Sequence, residues 1–260
     1  MSLVPSLTES LFALGLGDRV IGVTDWCVHP ADGVAKVPKV GGTKDTDVDA
    51  IVRLAPDLVI ANHEENTKRV VDRLDAAGLR VWITYPRTVR DGAALLRELA
   101  ERLDAGPAAI ESVVEPVEAA VADAERARPP TPPRVFCPNW RGPWMTVGRD
   151  TYVHSMIELC GGANVFADRA DRRYPVVSQG DVVAAAPDVI LLPDEPYAFG
   201  ARDVAELARI DVPAARDGRI HCVDGTWLSW YGPRIRPALR GIRPLLGADH
   251  AARSTPPEES

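Results

Sequence analysis

Much of the usual equipment of catalysis and membrane insertion is missing from this 260-residue chain. The four cysteines, Cys27, Cys137, Cys160 and Cys222, stand far apart with no CxxC pair. That excludes a local zinc or dithiol motif, and they read as scattered core thiols. The five histidines, His29, His63, His154, His221 and His250, show no HxxxH or HExxH spacing. No GxSxG, P-loop or GxGxxG occurs, so no catalytic residue, metal ligand or intrinsic cofactor site is assigned. Lys/Arg runs never exceed two residues and the net charge is −7, which argues against nucleic acid and anionic membrane surfaces. No stretch approaches the roughly 18 apolar residues of a membrane span. The opening Met1-Ser2-Leu3-Val4-Pro5 has no basic segment, apolar core or cleavage site. From the residues alone the chain is expected to be cytoplasmic, or to have a leader that lies outside this sequence.

What is present is a repeat. Ala55-Pro56-Asp57-Leu58-Val59-Ile60 returns as Ala186-Pro187-Asp188-Val189-Ile190-Leu191, an offset of 131 positions (187 − 56). Val52 falls on Val183 and Glu64 on Glu195 at the same offset. Each copy is a proline break, then an apolar run without alternation, then a loop bearing an acid. Such runs read as buried strands of a parallel sheet. Two copies half a chain apart predict an α/β fold of two Rossmann-like lobes with a ligand cleft between them.

The expected organisation follows. Residues 1–87 form the first lobe, with strands at Leu3-Val4, Arg19 to Thr24, Leu54 to Ala61 and Leu79 to Tyr85. Ser6 and Glu9 have capping-box spacing for a helix through Leu14, and Asn66/Thr67 open another that Gly78 closes. Residues 88–133 are a helical connector. Thr88/Asp91 open its first helix, and Ala108 to Arg128 form a long one, bent at Pro116. The second lobe runs over residues 134–247, with Gly161-Gly162 as a helix C-cap, and 248–260 reads as a disordered tail.

Five of the six tryptophans fall in expected loops, in three groups: Asp25-Trp26, Asn139-Trp140-Arg141 with Trp144, and Trp227 with Trp230-Tyr231. Each group follows an expected strand, where open α/β sheets hold ligands. Loop aromatics offer broad apolar faces, so an aromatic-lined cleft is expected, against the plainer reading that these rings cover the ends of two cores. Glu64 and Glu195 read either as solvated loop charges or as paired carboxylates that grip a two-fold symmetric partner.

Several phrases resemble a known family. They are the Ser2-to-Leu11 opening, Val37-Pro38-Lys39-Val40-Gly41-Gly42, both Pro-Asp strands, Leu159 to Phe166, Asp217 to Gly225 and Gly232-Pro233-Arg234. Together they are similar, over about residues 2 to 247, to the helical-backbone (class III) substrate-binding proteins of ABC importers. The likeness is greatest to the cobalamin (vitamin B12)-binding branch. It implies two lobes joined by one long rigid helix, non-catalytic binding of a metal-containing ligand, and a monomer in an extracytoplasmic setting. The ligand it implies is a cobalamin or other corrinoid, with ferric siderophore or haem as alternatives. It implies that Glu64 and Glu195 dock on the permease. Trp26, Trp140, Trp144, Tyr197, Trp227, Trp230 and Arg234 would face the ligand. Asp25 and Tyr231 join this candidate set, and Asn139, Arg141 and Arg234 are candidate hydrogen-bond donors or acceptors to it. Family members normally carry a leader, and this chain opens inside what should be the first strand. A cytoplasmic cofactor carrier or sensor therefore stays open, and the two-lobe architecture leaves a chelatase-like enzyme of the same fold open as well.

Overall fold

The repeated phrase folds the same way twice. In a computed structural model describing residues 1–169 and 172–247, a helix Val48–Leu54 and a helix Gln179–Ala185 sit at the repeat offset. Their caps match as well. Asp47 accepts from the Ala50 N–H and Ser178 from the Asp181 N–H. Both helices end on an alanine in the left-handed region, Ala55 at φ 47° and Ala186 at φ 41°. A proline follows each, and then a buried strand. The first is β1, Val59–Asn62, paired in parallel with β2, Val81–Thr84. Single parallel bridges Ser2–Ile60, Ser2–Val23 and Val23–Lys39 continue this row.

The remaining strands are β3 (Arg134–Phe136), β4 (Pro138–Trp140), β5 (Met145–Thr146), β6 (Ala163–Asn164), β7 (Val189–Pro193) and β8 (Ile220–Val223). The second copy of the repeat leads into β7. A parallel sheet has the order β6-β3-β7-β8, while β4 and β5 make a separate antiparallel hairpin. The fold is therefore mixed α/β with parallel sheets, as the run pattern predicts.

The chain divides into two compact units. The first comprises Met1–Pro86, Asp91–Glu118 and Trp230–Pro233; the second comprises Arg87–Arg90, Ala119–Ser229 and the described residues from Arg234 on. The first unit has a core of Leu3, Val40, Val48, Ile51, Val59, Val70 and Leu74. The core of the second is aromatic at its centre, with Phe136, Phe166 and Phe199 beside Ile190 and Leu192. No helix among the described residues is long and apolar enough to cross a membrane.

Several local expectations need correcting. Val4, not Ser6, is the N-cap of the helix Pro5–Ala13; Pro5 starts it, and Ser6 lies inside with its carbonyl accepting from the Ser10 hydroxyl. Leu54 ends a helix instead of opening a strand, because the left-handed Ala55 must turn the chain before Pro56. Arg19 closes a 3₁₀ turn, Gly17–Arg19, and only Val23 of the expected Arg19-to-Thr24 strand pairs. Cys27, Cys137 and Cys160 are buried thiols, but Cys222 is exposed on the edge strand β8. Other expectations hold. Thr67 caps the helix Lys68–Ala76, and Gly161, at φ +91°, follows the helix Tyr152–Leu159. The long helix runs from Pro107–Ala109 through a π turn, Ile110–Val114, into Glu115–Arg126. Pro116 has no N–H and its ring would strike the Ser112 carbonyl. The π turn just before it relieves that conflict. The expected disordered tail, 248–260, lies outside the described residues.

Candidate functional site

In the first unit the end of β1 organises the loop that follows. Asn62 is buried, and its side-chain oxygen accepts the Glu64 N–H at 2.8 Å and the Glu65 N–H at 3.3 Å. Asn66 in turn accepts the Asn62 N–H and donates to the Thr43 carbonyl. Lys44 donates to the Glu64 carbonyl. Glu64 is thus carried on a pinned main chain, half-exposed. Beside it His63 and Tyr85, both exposed, have ring centroids 4.5 Å apart at the ends of β1 and β2. No motif or spacing in the sequence marks this pair. Its only signal is that each residue directly follows a strand.

Trp26 is 66% exposed on the loop after Thr24. That loop is held by the Asp25 N–H on the Gly41 carbonyl and by Lys39 Nζ on the Cys27 carbonyl. The Cys27 thiol takes hydrogen bonds from Thr8 and lies near the Thr24 hydroxyl, and burial pushes its pKa up. Trp230 and Tyr231 are different. They are only 7% and 4% exposed, inside the first unit. Trp230 packs edge-on to His29, and the Tyr231 hydroxyl accepts from the Asn62 amide at 3.3 Å. Gly232 permits this packing. Its φ is +72° and a Cβ there would come 2.4 Å from Ser10 Oγ.

In the second unit an aromatic chain runs from the surface to the core. Trp140, 44% exposed on β4, meets Tyr197 edge-on at 5.8 Å. Tyr197 touches Phe199 at 4.6 Å, and Phe199 stacks on Trp144 at 5.8 Å and 5°. Trp144 reaches Phe136, which meets Phe166. Asn139 is half-buried, and its side-chain oxygen is enclosed with no hydrogen-bond partner among the described residues. Arg141 pairs with Asp203 and Glu206, and its guanidinium lies 5.3 Å from the Trp144 ring centre. Burial opposes its charge, but the two carboxylates outweigh that and hold its pKa above the ordinary value.

Two other candidates are engaged locally. Arg234 donates to Thr226 at 3.0 Å and lies 3.7 Å from Asp224. The Trp227 ring lies against the helix Ile235–Leu246, where a Cβ on Gly241 would approach within 2.2 Å of it. Glu195, half-buried, accepts from the Ser229 hydroxyl at 2.7 Å. Gly225 passes so close to Glu195 that a Cβ would meet its backbone nitrogen at 2.7 Å. Among the described residues no three or more His, Cys, Asp or Glu gather as a metal site.

The sequence model of the family described as "Periplasmic binding protein" matches residues 1–224. A vitamin B12-binding protein of Vibrio vulnificus is 26% identical over 244 residues, which covers 93% of this chain and 87% of that protein. Among solved structures, the periplasmic heme-binding protein RhuT of Roseiflexus sp. RS-1, in apo form, is 30% identical with a TM-score of 0.80, covering 95% of this chain and 97% of that one. The periplasmic vitamin B12 binding protein BtuF of Vibrio cholerae is 25% identical with a TM-score of 0.80, covering 95% and 96%.

Proposed function

The chain belongs to the periplasmic binding protein family, and on that premise we propose that it binds a corrinoid of the cobalamin type outside the cytoplasm, without changing it chemically, and presents it to an ABC importer. The observation that carries the reading is the exposed indole of Trp140, backed by Tyr197 and a continuous aromatic core. A flat, pre-set apolar face matches the broad face of a corrin and loses little entropy on binding. Asn139 beside it is half-buried with an unmet acceptor, and a turn of its side chain would offer that acceptor to an amide N–H from the ring's edge. Trp26 supplies an exposed indole in the first unit. The relation to vitamin B12-binding proteins over 93% of the chain points to the same ligand class. Glu64 and Glu195 are assigned to permease docking. Half-exposed carboxylates contribute only about 0–1 kcal/mol each to an ion pair, so they would orient the partner more than hold it.

One observation favours haem as a second reading. His63 and Tyr85 are both haem-iron ligand types, exposed and adjacent, and RhuT shares 30% of its residues with this chain. Tryptophan fluorescence titrated in parallel with cyanocobalamin and haemin separates the two. Saturable quenching by cyanocobalamin, unaffected by Tyr85→Phe, is the expected result. A haemin-only response, with an absorption band that Tyr85→Phe or His63→Ala shifts, would transfer the assignment to haem. No response to either would overturn both readings.

A further inference from the structure

We infer that Arg141 is a positioning residue: by bridging Asp203 and Glu206 it fastens the β4–β5 hairpin to the helix Ala201–Leu207 and so fixes the orientation in which Trp140 meets the ligand. The inference rests on the assignment of Trp140 to the ligand face.

Four observations carry it. First, β4 has three residues and β5 two; β5 is held further by the Met145–Val176 bridge and by hydrogen bonds to residues 175–177, but β4, which carries Trp140, is paired among the described strands with β5 alone. Trp140 therefore needs an anchor outside its own ladder. Second, Arg141 is the next residue, its side chain is only 19% exposed, and both terminal guanidinium nitrogens are taken, one by Asp203 and one by Glu206. These contacts use two of the five N–H donors, and burial leaves little of the rest open to a ligand. Third, the second Asp203 oxygen accepts the Gly200 N–H at 3.0 Å. One buried carboxylate thus ties the hairpin to the residue after Phe199, in the segment that also carries Tyr197. Trp140 and its edge partner Tyr197 are set from both sides of the same ion pair. Fourth, Trp144 contacts Arg141 and stacks on Phe199, which continues the fastening into the core.

The test uses ligand-free protein first. In the fluorine NMR spectrum of 5-fluorotryptophan-labelled full chain, the Trp140 resonance is identified by its loss in Trp140→Phe. Arg141→Met is expected to move that resonance toward the position of free fluorotryptophan and to leave those of Trp26 and Trp82 in place. Arg141→Lys, which keeps the charge but not the fork, should give an intermediate shift. Cyanocobalamin affinity should fall about tenfold in Arg141→Met, and that loss should vanish in a Trp140→Ala background. Glu206→Gln removes one arm at a half-exposed position and serves if Arg141→Met does not fold. An unmoved Trp140 resonance in the folded variants would overturn the inference. So would a tenfold loss that persists in the Trp140→Ala background, because Arg141 would then touch the ligand itself. If the parent protein binds neither cyanocobalamin nor haemin, the functional reading fails, while the NMR result still decides whether Arg141 fixes Trp140.

Discussion

Trp140 and Trp230 are the same residue type in superficially similar loops, yet removing them should do opposite things. Trp140 is backed by Tyr197 and open on its other side. Trp140→Ala should weaken cyanocobalamin about tenfold, near 1.4 kcal/mol, and hardly move the urea midpoint. Trp230 is enclosed against His29. Trp230→Ala should cost about 3–5 kcal/mol of stability, read from the same urea transition. The sequence groups the loop tryptophans but not their exposure, because exposure depends on which strand ends neighbour each loop in space. His154 gives a prediction in pH. It is buried, and its Nδ1 faces the Asn164 amide, which donates to the ring and to the Val147 carbonyl. Burial holds its pKa below the ordinary 6.5, although Glu158 pulls the other way. The unfolded chain therefore binds this proton more readily than the folded one. Stability should be whole above about pH 6.5, decline as pH falls below it, and level off beneath the lowered folded value. His154→Gln should flatten that part of the melting-temperature profile; an unchanged slope would count against the assignment.

At the scale of elements, the repeat is the most legible feature of the chain. Its two helices, their caps and their exits coincide at one offset because the exit is chemically specified: a left-handed alanine, then proline, then an apolar run. A left-handed alanine costs roughly 1–2 kcal/mol, and glycine's own entropic cost is roughly 0.5–1 kcal/mol. Ala55→Gly and Ala186→Gly should therefore each stabilise the protein by about 0.5–1 kcal/mol in urea unfolding. The strand boundaries were less legible. Val20, Ile21 and Val23 have the composition of a strand, but Ile21 is exposed and only Val23 pairs. Composition reports what could lie in a sheet, whereas pairing depends on how far the neighbouring strands extend. The cap at Val4 is not marked by its own side chain. Ser6 has the chemistry of a cap, but Pro5 pre-sets the helical φ one residue earlier.

Across the whole molecule, the parallel α/β class was readable from runs and breaks, while the composition of the first unit was not. Its final piece, Trp230–Pro233, comes from near the far end of the chain, and both flanking segments belong to the second unit. Arg141 shows the same limit within a site. As an arginine between two tryptophans it reads as a ligand contact, and only the fold brings Asp203 and Glu206 to it. A fragment ending at Glu118 would lack the Trp230 ring on His29 and the Tyr231 hydroxyl on Asn62. Its circular dichroism should show no cooperative melt, and a sharp melt would mean that the four-residue piece is dispensable. Proteins are made from the N-terminus onward, and N-terminal domains commonly fold first during synthesis. Here the first unit is completed by residues made after most of the second, so the segment that closes it is synthesised long after the rest of that unit.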